Sequence, residues 1–336
     1  MGGRCVMASS IPDATPPVLL VHPGPHGVAA YAREIATEVL EQQPSARLST
    51  ADALAAVAPG TPVHAHVTDR LWGSSPEQAA RVVVDLAGRH PLSVTFHDVP
   101  QASDGERNRP RRRAFYRSVA EAARGVAVNS AHERELLREE GVWNGPVAIV
   151  PLPVETVEPS TVFAGDDAVG VLGYFYPGKG HDETLAATVA AGMTRLTVLG
   201  RASDGHAEDL DAFVRRASAA GVDVEVTGWL DDAEMIARAR RVSVPVIAHR
   251  HVSASGSLTS WIGWGRRPLA VRNRYIDEMV ELRPGALRVV DPEDLAAEVA
   301  IARHEAVRTW HGLDPVPFGR ADAARAYRRW WAEVFP

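Results

Sequence analysis

Residues 169–191, VGVLGYFYPGKGHDETLAATVAA, decide the fold of this chain. A short apolar run comes first, a glycine-rich loop follows, and a helical pattern completes the stretch. Short buried strands that alternate with helices are typical of a parallel sheet covered on both faces. Backbone amides at the start of the helix, together with the Lys179 ammonium, predict a diphosphate site. The spacing of a Walker A motif is absent, which argues against an ATPase.

The same alternation runs along most of the chain. Residues 151–167 interrupt it, because their prolines do not easily continue a sheet or a helix. We therefore predict an α/β fold with two doubly wound, Rossmann-like domains, residues 1–155 and 165–317. Ligands are expected at the carboxyl ends of the strands and in a cleft between the domains. The predicted strands are residues 18–21, 63–67, 92–96, 126–128, 147–150, 168–173, 195–199, 222–226, 242–247, 269–272 and 287–290. The predicted helices are residues 27–40, 76–88, 111–123, 131–140, 179–191, 208–220, 231–240, 256–265, 292–304 and 321–334.

The composition is that of an ordinary globular protein, with 46% hydrophobic and 23% charged residues among 336. A net charge of −6 provides no overall positive field for nucleic acid, so no nucleic-acid partner is expected. Cys5, the one cysteine, excludes an internal disulfide and a cysteine metal cluster. We expect a cytoplasmic protein, because no apolar run has membrane-spanning length and no segment resembles a secretory signal. Peripheral membrane contact and a homodimer remain open.

Lys179 is the only lysine, and every other basic side chain counted with it is arginine. One explanation is chance, since codon usage that favours arginine leaves few lysines. The other is function, because an ammonium is a compact point charge that arginine does not replace well. Its position between Gly178 and Gly180, directly after a predicted strand, favours a functional role.

Two loops of the first predicted domain also follow strands. In residues 22–28, HPGPHGV, Gly24 and Gly27 either form a simple turn or let the backbone approach an anionic ligand. The loop lacks the GxGxxG pattern of dinucleotide-binding proteins. His97 beside Asp98 can act as a general base or bind a sugar hydroxyl, and a surface histidine in a turn is the alternative.

Three further features have both a structural and a functional explanation. The arginines of residues 107–113 predict either a solvated loop and helix start or a clamp for an anion or a lipid surface. Residues 253–259, SASGSLT, offer donors to an oxyanion, or they only cap a helix. They lack the GxSxG pattern of a serine hydrolase. His64 and His66 alternate on a strand, and no nearby cluster of cysteines or carboxylates makes them a zinc site.

Seven segments, in this order, resemble the retaining GT-B glycosyltransferases of family four. Together they extend over nearly the whole chain, and their order and spacing carry the resemblance. They are VHPGPHGVAAYAREIA (21–36), TFHDVP (95–100), AVNSAHERELL (127–137), VGVLGYFYPGKGHDETLAA (169–187), VTGWLDDAEMIARARRVSVPV (226–246), SASGSLTSWIGWGRRPLAV (253–271) and RNRYIDEM (272–279).

The resemblance implies a GT-B fold, with an interdomain cleft and a C-terminal crossover helix, residues 318–336, that packs back on the first domain. It implies that Lys179 holds the donor diphosphate and that His97 contacts the donor sugar near the reacting centre. Asp98 and Arg111 are expected on the acceptor side. The residues expected to bind the donor are Gly24, Gly27, Tyr174, Arg201, Gly228, Trp229, Leu230, Ser255, Gly256, Ser257, Leu258 and Glu278.

Two positions depart from the pattern of the family. Tyr174 occupies the place of an arginine that usually assists the lysine, and Arg201 is the candidate substitute. Ala254 and Ile262 occupy the places of two glutamates spaced E-x7-E. These departures keep a second class open, namely a protein that binds a sugar nucleotide and transfers nothing.

The function expected from the resemblance is retaining transfer of a hexose to a hydroxyl of a saccharide acceptor. Mannose from GDP-mannose is the first candidate donor, with a mannooligosaccharide of polysaccharide biosynthesis as acceptor. A UDP-sugar is the alternative donor. No cofactor is required and no metal site is predicted, although the use of a divalent metal is left open.

Overall fold

The computed structural model describes residues 16–24, 26–158, 165–311 and 316–336. Within them the chain divides into two compact units. Unit 1 comprises the described residues up to Asn129, then Glu133–Pro151 and Arg320–Pro336. Unit 2 comprises Ser130–His132 and the described residues of Leu152–Gly319.

Unit 1 is built on a parallel six-stranded sheet with the strand order β2-β1-β3-β4-β5-β6. Strands β1, β3 and β4 are buried along their whole length, as expected for strands covered on both faces. The strands are β1 (Val18–Val21), β2 (Leu48–Thr50), β3 (Val63–Val67), β4 (Leu92–Phe96), β5 (Gly125–Val128) and β6 (Ala148–Ile149). The helices are α1 (Gly27–Gln42), α2 (Asp69–Trp72), α3 (Pro76–Arg89), α4 (Gly105–Ala122) and α5 (Ala131–Glu139), of which the first two residues of α5 group with unit 2.

Unit 2 repeats this architecture with the strand order β12-β11-β10-β7-β8-β9, again all parallel. Its central strands β7 and β10 are buried along their whole length. The strands are β7 (Val169–Leu172), β8 (Arg195–Leu199), β9 (Asp223–Val226), β10 (Val244–Ile247), β11 (Leu269–Val271) and β12 (Arg288–Val290). The helices are α6 (His181–Ala190), α7 (Ala207–Ala219), α8 (Asp232–Arg241), α9 (Gly256–Gly263), α10 (Arg274–Leu282) and α11 (Leu295–His304).

The last helix, α12 (Arg320–Val334), groups with unit 1 and packs against α1. Its buried residues Ala323, Ala324, Tyr327 and Trp331 recur at the spacing of one helix face, which explains why this polar segment folds as a helix. The Tyr327 and Trp331 rings stack with their centroids 5.3 Å apart.

Each sheet has a point at which the direction of strand addition reverses. In unit 1 it lies between β1 and β3, and in unit 2 between β7 and β10. Loops that leave the carboxyl ends of two such strands diverge to opposite faces of the sheet, and the crevice between them is the usual ligand site of this architecture. The loop that contains Lys179 follows β7, and the loop that leads into α9 follows β10.

The predicted α/β class with two doubly wound parallel sheets is confirmed. Three predicted helix starts are wrong by two residues or more. The helix predicted from residue 292 begins at Leu295, since Pro292–Asp294 form a 3₁₀ turn before it. The helix predicted over residues 111–123 begins at Gly105, because Pro110 is accommodated inside it and its arginines pair with carboxylates. The helix predicted from Lys179 begins at His181, because Gly178 and Gly180 have φ values of 89° and 98°, outside the helical region. Strand β2 and helices α2 and α10 were not predicted.

Among the described residues, no helix is both long and apolar enough to cross a membrane.

Candidate functional site

Lys179 lies in the loop between β7 and α6 with 8% of its surface exposed. Its ammonium donates a hydrogen bond to Ser257 Oγ over 3.1 Å. Ser257 is in the first turn of α9, so this bond joins the loop after β7 to the helix that follows β10, on the two sides of the switch point of unit 2. The structure thus brings together two predicted site residues that lie 78 positions apart in the sequence.

Burial lowers the pKa of Lys179 from 10.5 to about 8. Among the described residues, no carboxylate pairs with this ammonium, and the Ser257 hydroxyl is its hydrogen-bond partner. A buried charge without a counter-charge is costly, so it is normally paired in the working state of a protein. The site therefore suits an anion that approaches the Lys179 ammonium.

Two buried histidines surround the same loop. His181 lies with its ring centroid 4.5 Å from that of Phe175, and burial lowers its pKa to about 3. The pKa of His249 is also well below its ordinary value, first because of burial and then because of Lys179. Both imidazoles are therefore neutral at physiological pH and leave the positive charge on Lys179.

Serine and glycine residues form the start of α9. Ser255 is the N-cap, and its Oγ accepts a hydrogen bond from Leu258 N over 3.2 Å and lies 3.1 Å from Ser257 Oγ. The Ser255 amide donates to the Tyr275 hydroxyl over 3.0 Å. Gly256 begins the helix without a side chain over its first turn. Ser255 therefore caps the helix and Ser257 contacts Lys179, while donation of these groups to an oxyanion stays a prediction.

Two glycines let the loops of unit 2 pack closely. A Cβ on Gly180 would lie 2.4 Å from the Ala248 carbonyl oxygen, in the loop that follows β10. A Cβ on Gly200, where φ is 148°, would lie 2.4 Å from the Gly173 carbonyl oxygen. These positions require glycine for both space and conformation, and they hold the Lys179 loop against its neighbours on each side.

Tyr174 and Arg201 follow the neighbouring strands β7 and β8 and contact each other. The Arg201 guanidinium carbon lies 4.9 Å from the centroid of the Tyr174 ring, within the range of a cation–π interaction. Arg201 also donates to the Ala202 carbonyl over 3.0 Å and to Asp204 Oδ1 over 3.3 Å. Arg201 is exposed and 41% of Tyr174 is exposed, so the guanidinium remains accessible beside the loop that contains Lys179.

Gly228, Trp229 and Leu230 follow β9 at the same edge of the sheet. Gly228 has a φ of 69° and donates its amide to the Gly200 carbonyl over 3.1 Å. Trp229 is 72% exposed, an unusual position for a large aromatic ring. Because β9 is three strands from β10, the carboxyl ends of these two strands are about 14 Å apart.

Glu278 on α10 has a partner other than a ligand. Its two carboxylate oxygens accept from the backbone amides of Ala131 over 2.7 Å and His132 over 3.0 Å, at the start of α5. A carboxylate is stabilised at a helix N-terminus. Of the two positions where the resembling family has glutamates, Ala254 is half-buried and Ile262 is fully buried in the core of unit 2.

The first loop of unit 1 is organised by a histidine rather than by its glycines. His26 is the N-cap of α1, and its Nδ1 accepts from the amide of Val28 over 3.2 Å. Gly24 has a φ of 94°, and Gly27 is the first residue of the helix. A Cβ on either glycine would meet no described atom within 4 Å, so the space beside both is open.

His97 lies at the carboxyl end of β4 with 7% of its surface exposed. Its Nε2 is 3.0 Å from Nδ1 of His66, and burial lowers the pKa of both rings well below the ordinary value. The adjacent Asp98 is exposed and has a φ of 52°, a left-handed conformation that is uncommon outside glycine. The Arg112 guanidinium stabilises that turn by donating to the Asp98 carbonyl over 2.6 Å.

A second buried polar network lies beside this histidine pair, and the Tyr31 ring contacts both imidazoles of the pair. Thr95 Oγ1 is 3.0 Å from the Tyr327 hydroxyl and 3.4 Å from Nε2 of His64. The Tyr327 hydroxyl in turn is 3.4 Å from that of Tyr31. Helix α12 therefore reaches the surroundings of His97 through Tyr31, whereas the resemblance implied only that this helix packs on the first domain. In the sequence, the alternation of His64 and His66 on one strand was the feature that could have indicated these buried polar contacts.

The arginine-rich segment is mostly neutralised by ion pairs. Arg111 forms a bidentate pair with Glu77 at 2.7 and 2.8 Å, and Arg109 one with Glu140 at 2.8 and 2.7 Å. Arg112 reaches Asp69 and Asp104 at 3.0 and 2.6 Å. Arg111 therefore lies on Glu77 rather than beside Asp98, where the neighbouring Arg112 makes the contact.

Unit 1 also contains a cavity of about 450 Å³ that begins beside the first loop. It is partly apolar and has an imidazole, a carboxylate and a guanidinium in its lining. Its lining residues include His22, Asp52, Leu54, Leu71, Trp72, Leu86 and Arg89. Among the described residues, no group of three or more His, Cys, Asp or Glu side chains is arranged to hold a metal.

Comparisons with known proteins agree at the level of the fold. No protein family and no curated protein matches the sequence. Three solved structures that match by shape are HepE of Anabaena in complex with UDP and glucose, the sucrose-phosphate synthase of Thermosynechococcus elongatus, and TarM.

The likeness covers nearly the whole length of two of these proteins. HepE has a TM-score of 0.63 and 15% identity, and the match covers 94% of this chain and 95% of HepE. The synthase has a TM-score of 0.62 and 15% identity, with 96% and 94% covered. TarM has a TM-score of 0.57 and 10% identity, with 82% of this chain covered and 51% of TarM, so the match spans about half of TarM. The chain has the GT-B fold that these proteins share.

Proposed function

We propose that this protein is a glycosyltransferase that binds a nucleoside diphosphate sugar in unit 2 and transfers the sugar to a saccharide hydroxyl. The observation that carries the proposal is the Lys179 ammonium, which is buried at the switch point of a parallel sheet and has no carboxylate partner among the described residues. Phosphate oxygens supply the charge that this position lacks.

The surroundings of Lys179 suit a diphosphate leaving group. The first backbone amides of α9 point out of the helix, and the Ser257 hydroxyl lies beside the ammonium. Negative charge that develops on the diphosphate as the glycosyl bond breaks is stabilised by these donors. Removal of Lys179 is expected to reduce the rate about 10²- to 10³-fold, as the loss of one such donor usually does.

Arg201 supplies the second positive charge in this proposal. The resembling family has an arginine at the position of Tyr174, and here the Tyr174 ring instead carries the Arg201 guanidinium on its face. A guanidinium is therefore present beside the loop that contains Lys179, although its residue follows β8 and not β7. Trp229 offers an exposed aromatic surface on which the base of the nucleotide stacks, with Gly228 and Leu230 beside it.

Guanine and uracil are the two candidate bases of the donor nucleotide. The sequence resemblance favours GDP-mannose and transfer of mannose with retention of configuration. The UDP bound in HepE supports a UDP-sugar, and UDP-glucose is therefore the first donor to test. His97 in unit 1 is the proposed contact for a sugar hydroxyl, with Asp98 on the acceptor side.

A second candidate function is binding of a sugar nucleotide without transfer. Specific observations favour it, since Ala254 and the buried Ile262 occupy the positions of the family's glutamates and Glu278 is engaged by two backbone amides. Such a protein would keep the diphosphate site and lack turnover.

The test measures binding and turnover separately. Thermal unfolding is followed with UDP, GDP and ADP, and a ligand at 100 times its Kd is expected to add about 2.7 kcal/mol to the free energy of unfolding. Release of UDP from UDP-glucose, and of GDP from GDP-mannose, is then measured with saccharide acceptors. Stabilisation with turnover supports the transferase, stabilisation without turnover supports the binding protein, and no stabilisation by any nucleotide refutes both.

A further inference from the structure

Two histidines that are 31 positions apart in the sequence form one buried pair in unit 1. Nδ1 of His66 lies 3.0 Å from Nε2 of His97. The pairing follows from the sheet, because β3 and β4 are parallel neighbours with His66 opposite Thr95, and His97 follows two residues later. Both side chains are more than nine-tenths buried.

The backbone of each histidine is anchored independently of the ring contact. The His97 amide donates to the Val67 carbonyl over 2.9 Å, and the His97 carbonyl accepts from the Tyr116 hydroxyl. The His66 carbonyl accepts from Trp72 Nε1 over 2.9 Å. The Tyr31 ring contacts both imidazoles edge-on, at 5.1 and 5.4 Å between centroids. The ring contact between the histidines therefore adds control over orientation that the backbone does not supply.

The chemistry of a neutral imidazole makes this contact directional. Each ring has one N–H and one acceptor nitrogen, so a single hydrogen between two facing nitrogens sets the tautomers of both rings together. The bond occupies Nε2 of His97 and leaves Nδ1 as the ring nitrogen that His66 does not engage. Burial keeps both rings neutral, because it lowers the pKa of each.

We propose that His66 is a positioning residue for His97: it holds that ring in one orientation and couples the tautomer of His97 to its own, so that Nδ1 of His97 meets the ligand. The consequence for sugar binding rests on the function proposed above, whereas the effect on the tautomer does not. In this proposal His66 acts through His97 and does not contact the substrate.

The first experiment observes the tautomers directly, by long-range ¹H–¹⁵N spectra of the full-length protein with labelled histidines. In His66→Leu, the ring nitrogens of His97 are expected to shift towards a mixture of tautomers. His66→Asn keeps a polar group near the position of Nδ1 and is expected to restore much of the wild-type pattern. His64→Leu is the matched control, since His64 is equally buried on the same strand but bonds to Ser93 Oγ, 2.9 Å away. An unchanged His97 spectrum in His66→Leu would overturn the proposal.

The second experiment measures turnover of UDP-glucose and GDP-mannose. Loss of the orienting bond is expected to reduce kcat about tenfold while KM stays unchanged, and His66→Asn is expected to recover most of the rate. A wild-type kcat in His66→Leu would contradict the proposed role in the reaction. If the wild-type protein turns over neither donor, the proposed function fails, and the spectra still decide whether His66 controls the tautomer of His97.

Discussion

Replacing Lys179 with methionine is expected to stabilise the ligand-free protein and to abolish nucleotide binding at the same time. Burial lowers the pKa of Lys179 from 10.5 to about 8. A shift of that size corresponds to about 3 kcal/mol of unfavourable free energy in the folded state at pH 7. The variant also loses the hydrogen bond to Ser257, which lowers its free energy of unfolding by about 1 kcal/mol. We therefore expect Lys179→Met to raise the free energy of unfolding at pH 7 by about 2 kcal/mol.

The pH dependence of this difference identifies its cause. Below pH 8 the Lys179 side chain is protonated in both the folded and the unfolded protein, and the full penalty applies. Between pH 8 and 10.5 the unfolded state binds more protons than the folded state, so the stability of the wild type rises with pH. The advantage of Lys179→Met is therefore expected to shrink by about 2 kcal/mol between pH 7 and pH 9.5.

The assay is urea unfolding of the wild type and Lys179→Met, with and without UDP. UDP at 100 times its wild-type Kd is expected to add about 2.7 kcal/mol to the wild type and nothing to the variant. Ser257→Ala serves as the control, because it removes the hydroxyl and keeps the ammonium, and so gains no stability. A variant that is less stable than the wild type at pH 7 and still binds UDP would show that Lys179 is not a buried charge that binds an anionic ligand.

Three further predictions test the packing and the charges around the two candidate sites. Gly200→Ala is expected to lower the free energy of unfolding by at least 2 kcal/mol more than Gly192→Ala does. A Cβ on residue 200 would lie 2.4 Å from a backbone carbonyl oxygen, whereas a Cβ on residue 192 meets nothing within 4 Å. Equal urea midpoints of the two variants would contradict this. Tyr327→Phe is expected to lower the free energy of unfolding by about 1 kcal/mol, since the buried Thr95 hydroxyl loses its partner at 3.0 Å, and an unchanged melting temperature would argue against the buried network. Arg201→Met is expected to weaken UDP binding about tenfold in calorimetry. Arg195→Met, at the opposite end of β8, is the control and is expected to leave UDP binding unchanged. Equal effects of the two substitutions would show that Arg201 does not bind UDP.

Local sequence was sufficient for the elements that define the fold. Strands β1, β3, β4 and β8 have the bounds that the sequence predicted, because each is a short segment rich in apolar residues between two helical patterns. Strand β2 lacks that signal, since its three residues are half-buried or exposed. The α4 start was wrong because arginines that look solvated in sequence are paired with carboxylates in the fold.

The sequence by itself determined that the chain alternates strands and helices and that Lys179 follows a strand in a glycine-rich loop. Both properties are local, because they depend on neighbouring residues and on the conformational freedom of glycine. Only the tertiary structure decided that Lys179 meets Ser257 and has no carboxylate partner among the described residues, and that His66 faces His97. The physical reason is that a parallel sheet brings the carboxyl ends of strands together whatever their separation in sequence, and burial then sets the charge of the groups that meet there.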